Sequence, residues 1–322
     1  MRMSLPLRSA IPPMRHLDNI DLRLLRVFMT LVDAGNFANA LIALNLSQST
    51  LSTHLATLEK TLGGVLCLRG RRGFRLTPFG EETYAAAKRL FADIDTFQQR
   101  VGGYNGELVG RLRVGVVDGV VTSPHLGLQS VINRFMTLGS NVFIDLLLGT
   151  PHELELAITN GQRDIVIGPF SQKAPNVTYV PIHNEQHLLY CGRGHPLFDV
   201  PAAMITQNLI EGARFSVRGY RQLDDLYRVD HPRASGTVIH MEAQVMLILS
   251  GRFIGFLPRH IGDNWVGQGA MRTLKPEAYQ FKSMHFAAHP PGDRDRPLLR
   301  AFLDALIAQS DNPPAPRVDQ AV

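Results

Sequence analysis

Asn36-Phe-Ala-Asn-Ala-Leu-Ile-Ala-Leu-Asn-Leu-Ser47-Gln-Ser-Thr-Leu-Ser-Thr-His-Leu-Ala-Thr-Leu-Glu59, followed closely by Arg69-Gly-Arg-Arg-Gly-Phe-Arg-Leu-Thr-Pro-Phe-Gly80, is two short amphipathic helices, a tight polar turn and an arginine-rich hairpin. That order is the order of a winged helix-turn-helix. A preceding helix is read from the period of Leu22, Leu25, Val27, Phe28, Leu31 and Val32 and closes at Ala34-Gly35. The next, Phe37 to Leu44, ends at Asn45, and Ser47 stands where a third helix needs an N-cap. Leu51, Leu55, Leu58 and Leu62 stripe one side of that third helix; Ser49, Thr53, Ala56, Thr57 and Lys60 lie opposite, with Gln48, Thr50 and Ser52 flanking its start. An ordinary solvated face would carry Glu and Lys. Small hydroxyls and an amide can instead approach base edges closely, Gln48 toward adenine and Thr methyls toward thymine. The residues predicted to contact DNA are therefore Ser47, Gln48, Ser49, Thr50, Ser52, Thr53, His54 and Lys60, with Arg69, Arg71, Arg72 and Arg75 of the hairpin directed at phosphates.

Charge follows the same division. Residues 1–80 hold ten Lys+Arg against four Asp+Glu, whereas residues 107–322 hold twenty of each, so the net charge of +5 belongs to the first third. A basic segment joined to a neutral one suits a polyanion-binding module attached to something with another task. Surplus arginine also aids solubility, so charge alone does not decide.

From Phe79 onward Ala87, Leu90, Ile94, Phe97 and Val101 keep a 3,4,3,4 spacing, which is a coiled-coil seam. A helix of roughly 35 Å, at about 1.5 Å per residue, cannot bury such a seam alone. A second copy is expected to cover Leu90, Ile94, Phe97 and Val101. Gly102-Gly103 and Asn105-Gly106 then end the helix as a linker.

With 322 residues, 45% of them hydrophobic, the chain can form two or three cored domains. Met1 to Leu17 lacks the apolar core of a signal peptide, and no apolar run approaches the roughly 18 residues of a membrane helix. Cys67 and Cys191 fall in different predicted domains, which argues for free thiols in a reducing compartment, the cytoplasm. No phosphate loop, nucleophile elbow, paired catalytic carboxylates or cofactor motif is present, and no enzyme activity is expected.

After Gly110 the pattern alternates strand and helix: Arg113–Val117, a helix Pro124–Phe135, Val142–Leu148, a helix His152–Asn160, and Asp164–Gly168. This spacing predicts a parallel sheet flanked by helices. Ligands of such sheets sit beyond the carboxyl ends of the strands, here Thr122-Ser123-Pro124, Thr150-Pro151 and Gly168-Pro169-Phe170. Ser123 and Thr150 each precede Pro at a first helical position, and capping alone accounts for both hydroxyls. His183, Glu185 and His187 share one face of a strand, and His285 and His289 are similarly spaced, but neither group has a fourth ligand and no metal is assigned.

Phe37, Ala40, Leu44, Ser47-Gln48, Leu51-Ser52, Leu58-Glu59, Leu62-Gly63, Leu66, Arg69, Leu76-Thr77-Pro78 and Gly80, continued by Arg113-Val-Gly115, His195-Pro-Leu197 and Phe253-Ile-Gly-Phe-Leu-Pro258, resemble the LysR-type transcriptional regulators. The chain departs from that pattern at Asn36, Leu41 and Ser49. The resemblance implies a winged helix-turn-helix (18–78), a linker and dimerisation helix with a hinge (79–106), and a regulatory domain (107–310) of two α/β subdomains hinged like a solute-binding protein. The first would span about 107–183 and 283–309, the second about 184–274, with 1–17 and 311–322 disordered. It further implies a small-molecule effector between the subdomains, lined by Thr122, Ser123, Thr150, Phe170, Phe215, Ser216 and Arg218. Helix N-termini on one side and Arg218 on the other point to an organic anion carrying a carboxylate. Partners implied are double-stranded DNA, further copies of the chain as dimer or tetramer, and RNA polymerase, with no membrane. A plain solute-binding protein would need export and no basic head; an α/β enzyme with a DNA module would need a catalytic constellation.

Overall fold

The computed structural model describes residues 19–70, 73–104, 108–139, 141–171, 173–292 and 296–310. Arg71 and Arg72, and the stretches 1–17 and 311–322 expected to be disordered, lie outside the described residues. The chain divides into two compact units, Met1–Ile94 and Asp95–Val322.

In the first unit α1 (Asn19–Asp33), α2 (Phe37–Leu44) and α3 (Gln48–Leu62) precede an antiparallel hairpin of β1 (Cys67–Gly70) and β2 (Gly73–Leu76), and α4 (Pro78–Tyr104) begins directly after it. Asn36 accepts a hydrogen bond from the Asn39 amide at 2.8 Å, so it caps α2 as a serine would. Ser47 caps α3 by accepting from Thr50 N–H at 3.2 Å, and Gly63, at φ 77°, closes that helix. The leucine stripe of α3 is buried: Leu51, Leu55 and Leu58 meet Leu24, Leu25, Phe28 and Leu31 of α1 and Ala87 and Phe91 of α4 in one core, with Leu41 at its margin. Glu59 accepts the Leu66 N–H at 2.8 Å and ties the end of α3 to the hairpin. Gly80 admits no side chain, because a Cβ there would collide with the Leu66 carbonyl.

The second unit is built on a nine-stranded sheet. Strand β3 (Val109–Val116), α5 (Leu128–Met136), β4 (Asn141–Leu148), α6 (Pro151–Thr159) and β5 (Ile165–Gly168) form the alternating segment, and β3 lies parallel between β4 and β5. The sheet is not parallel throughout. Long β6 (Thr178–Gly192) and β11 (Gln280–His289) pair antiparallel with each other, and β11 also pairs antiparallel with β5. These two strands run through both halves of the unit, and their register slips between His285 and Phe286, a bulge that bends the ribbon where it passes from one subdomain to the other. The second subdomain adds α7 (Gln207–Glu211), β7 (Phe215–Arg218), α8 (Gln222–Tyr227), β8 (Gly236–Val238), α9 (Met241–Leu249), β9 (Ile254–Pro258), α10 (Arg259–Gly267) and β10 (Met271–Thr273); α11 (Pro297–Gln309) then packs on the first.

Strand alternation makes two cores from one strand. Leu189 and Cys191 of β6 join Phe215, Val217 and Phe256 on one side, while Leu188 and Tyr190 join Met241 and Leu257 on the other. The first subdomain has its own core, in which Val114, Val116, Ile165 and Ile167 lie beneath Phe135 and Phe302. The helix predicted to begin at Pro124 begins instead at Leu128. Gly127 adopts φ 46°, which breaks the helical path, and Ser123 closes a turn by accepting from Leu126 N–H at 3.3 Å. Cys67 and Cys191 are buried free thiols in different units, and burial pushes Cys191 up to about 12. Among the described residues no helix is long and apolar enough to cross a membrane.

Candidate nucleic-acid interface and ligand cleft

On α3, Gln48, Ser49, Thr53, Ala56, Thr57 and Lys60 are exposed together, opposite the buried leucines. Several hydroxyl protons on this face are already committed: Thr53 donates to the Ser49 carbonyl at 2.9 Å, and Thr57 to the Thr53 carbonyl at 2.8 Å. What these threonines present outward is therefore a methyl group and an accepting oxygen. Ser47, Ser49 and Thr50 form a small hydroxyl cluster at the helix start, with Ser47 Oγ 2.9 Å from Ser49 Oγ and 2.8 Å from Thr50 Oγ1. Gln48 keeps its amide free of that cluster. Ser52 is half-buried, and His54 is half-buried with its Nδ1 enclosed and without a hydrogen-bond partner, so both turn partly away from the exposed face. Arg69 and Arg75 lie on the two strands of the hairpin, Arg75 exposed.

The seam of α4 divides in two. Ala87 and Phe91 are buried in the head, and Leu90 and Ile94 pack against the same core. Phe97 and Val101 remain 65% and 53% exposed. Of the four residues predicted to meet a second copy, two are thus engaged within their own chain.

In the second unit, the loop following β3 fastens the subdomains to each other at three points. Asp118 accepts from the Met241 N–H at the start of α9, 2.6 Å away, and stands 3.2 Å from His240 Nδ1. Thr122 Oγ1 is 2.8 Å from Nδ1 of His260, whose Nε2 lies 3.1 Å from Glu185 on the crossover strand. His125 stacks on His183, with ring centroids 4.6 Å apart. A cavity of about 620 Å³ opens beside this junction, lined by His125, His183, Glu185, His260, Arg259 and Lys282 among others.

Deeper in the junction is a buried polar cluster. Glu185, His187, His285, Arg218 and Asp225 are each almost wholly enclosed. Burial alone would raise the Glu185 pKa, but His187 and His260 beside it hold the carboxyl well below its usual range. Burial pushes His187 down to about 3 against the pull of Glu185, and it lowers His285 as well, so both imidazoles are uncharged near neutrality. Arg218 faces Asp225 across 3.6 Å, too far for an aligned hydrogen bond. Nε and Nη2 of Arg218, both carboxylate oxygens of Asp225 and both ring nitrogens of His187 have no hydrogen-bond partner; His187 Nε2 is 3.0 Å from Glu185 but poorly directed. Groups this well buried are ordinarily paired, so an orphaned cluster marks a place for a guest. Among the described residues no three His, Cys, Asp or Glu side chains stand where they would hold a metal ion.

The predicted lining residues do not all reach this cluster. Arg218 does, and Ser123 and Thr122 lie on the fastening loop. Thr150 forms the full capping box with Glu153 and spends its hydroxyl there. Ser216 donates to the Ile254 carbonyl at 3.1 Å within the sheet, Phe215 is in the core with Phe256, and Phe170 packs on Tyr179. The sequence reading missed Asp118, Asp225, Tyr220 and His260. Asp225 could not be seen, because only the fold returns α8 onto the end of β7.

Two family models match the chain: "Bacterial regulatory helix-turn-helix protein, lysR family" over residues 22–81, and "LysR substrate binding domain" over residues 105–311. The HTH-type transcriptional activator BauR of Pseudomonas aeruginosa is 33% identical over 93% of this chain and 98% of its own length. The HTH-type transcriptional regulator AbaB of Streptomyces antibioticus is 26% identical over 79% of this chain and 87% of its own. Among solved structures, full-length OxyR C199D from Pseudomonas aeruginosa superposes with a TM-score of 0.62 at 19% identity, covering 94% of this chain and 99% of that one. CbnR, a LysR family regulator also solved with its target DNA, gives 0.62 at 18% identity over 90% and 99%.

Proposed function

Because the chain belongs to the LysR family of DNA-binding transcriptional regulators, we propose that a small effector occupies the junction between its two regulatory subdomains, at Arg218, and sets how the DNA-binding heads engage their site. The family is one of regulators, not enzymes. The observation that carries the effector reading is the orphaned set of buried polar atoms on Arg218, Asp225 and His187. A guanidinium enclosed with unfilled donors favours a carboxylate. Entry requires the loop of Asp118 and Thr122 to let go of α9 and His260, so ligand and subdomain closure are linked.

On the DNA side, we assign base reading to Gln48, Thr53 and Thr57 and phosphate contact to Lys60 and the arginines of the hairpin. The heads work in pairs through α4, in the cytoplasm, with the divisions 18–78, 79–106 and 107–310 as the functional parts. Contact with RNA polymerase is consistent with a regulator of this kind. The test is a metabolite screen by thermal melting of the full chain. A true effector at a hundred times its Kd stabilises by about 2.7 kcal/mol, or roughly 5–10 °C for a domain of about 200 residues. The same compound should change the footprint on operator DNA. A stabilising compound that binds equally well after Arg218→Lys would place the effector elsewhere.

A further inference from the structure

The enclosed groups around Arg218 carry no net charge. Arg218 and Arg221 are the cations and Glu185 and Asp225 the anions, while burial keeps His187 and His285 neutral. Asp118, at the rim, is already engaged by the start of α9 and by His240. Asp224 and Arg228 are exposed and of opposite sign. A guest bearing only a carboxylate would therefore bring one uncompensated negative charge into a region that excludes water.

The unfilled atoms add a second constraint. Arg218 offers two donors, Nε and Nη2, and Asp225 beside it offers two acceptors, Oδ1 and Oδ2. Glu185 differs, since His260 already stands at one of its oxygens and His187 at the other. A carboxylate alone would fill Arg218 and leave Asp225 bare, and an amine alone would do the reverse. We propose that the ligand of this cleft is a small zwitterion, which sets a carboxylate against Arg218 and a protonated amine against Asp225, and not a simple organic anion. This rests on the reading of the Arg218 cleft as the effector site and narrows the chemistry of what enters it. Both sets of orphaned atoms are then satisfied, and the cleft stays neutral.

Calorimetry on the full chain near neutral pH tests this with a skeleton-matched panel of short straight-chain monocarboxylates, the corresponding primary amines, and α- and ω-amino acids. Amino acids alone are expected to bind, at least about tenfold more tightly than the carboxylate or amine of the same skeleton. Asp225→Asn should erase that preference for the amine, and Arg218→Lys should weaken every amino acid that binds. A carboxylate without an amine that binds as tightly as its amino counterpart, and is weakened by Arg218→Lys, would overturn the zwitterion and leave the cleft as the site. Binding indifferent to both substitutions would overturn the cleft itself. Silence across the whole panel would also overturn the assignment of a small zwitterion. The wild-type panel decides the ligand class by itself, whether or not the variants fold.

Discussion

Arg218 is only 3% exposed and has Asp225 as its neighbour, so deleting its side chain does two things at once. Arg218→Ala leaves a buried carboxylate without a counter-charge, which costs about 3–5 kcal/mol in comparable pairs. Its effect on ligand binding would be masked by lost stability. Arg218→Lys keeps the charge but loses the planar fork. It is expected to preserve the fold, weaken effector binding about tenfold to a hundredfold, and leave operator affinity without effector unchanged. Equal effector affinity in calorimetry would remove Arg218 from the site. The imidazoles nearby make a separate prediction for pH. Burial depresses His187 to about 3 and lowers His285, so the unfolded chain takes up protons there that the folded chain does not. No penalty exists above the unfolded value of about 6.5. Stability is expected to fall as pH drops below it, by up to about 1.4 kcal/mol per pH unit for each imidazole. Glu185, held below its usual range, adds a further loss once pH falls below about 4.5. Melting curves from pH 7 to pH 5 should show the decline in the wild type, and His187→Gln should flatten it. A wild-type profile that is level over this range would mean these rings are protonated in the folded protein.

Among elements, α3 and the hairpin divide the work of recognition, and the division can be read in two different measurements. Arg75 is exposed on β2, and removing any arginine that truly neutralises a phosphate should flatten the log-log salt slope of operator binding by about 0.9. Arg75→Ala, and Arg71→Ala with Arg72→Ala, are expected to do so with little change in preferred sequence. Thr53→Ala removes an outward methyl and should alter the motif returned by selection on randomised sites more than it alters the slope. An identical motif would exclude Thr53 as a reader. The helical head was legible because its signals are local: the stripe Leu51-Leu55-Leu58, the cap at Ser47 and the glycine at 63 each act within a few residues. Strand alternation and the capping box of Thr150 were legible for the same reason. The start of α5 was misread because Ser123-Pro124 is an equally good opening for a turn, and Gly127, not the proline, sets where the helix begins. The antiparallel crossover of β6 and β11 joins residues far apart in the chain, and local pattern carries no sign of it.

At the scale of the whole molecule, α4 shows how one sequence period can serve two packings. Ala87 and Phe91 are buried in their own head and Leu90 and Ile94 pack beside them, whereas Phe97 and Val101, three and seven residues past Ile94, stay open to solvent. The 3,4,3,4 spacing looks alike along its whole length, so sequence could not separate the half that folds back from the half that awaits a partner. The two halves make opposite predictions. Ile94→Asp introduces a charge at the margin of the head's core and should lower its melting temperature before it affects association. Phe97→Asp lies outside that core and should leave melting unchanged at low protein concentration. If the open half is where a second copy packs, Phe97→Asp puts like charges across the seam and should shift sedimentation toward a smaller species. Binding to a paired operator should then weaken more than binding to a half-site, because the second head is no longer held at high effective concentration. An unchanged sedimentation profile in Phe97→Asp would show that the exposed half of α4 is not the dimer seam.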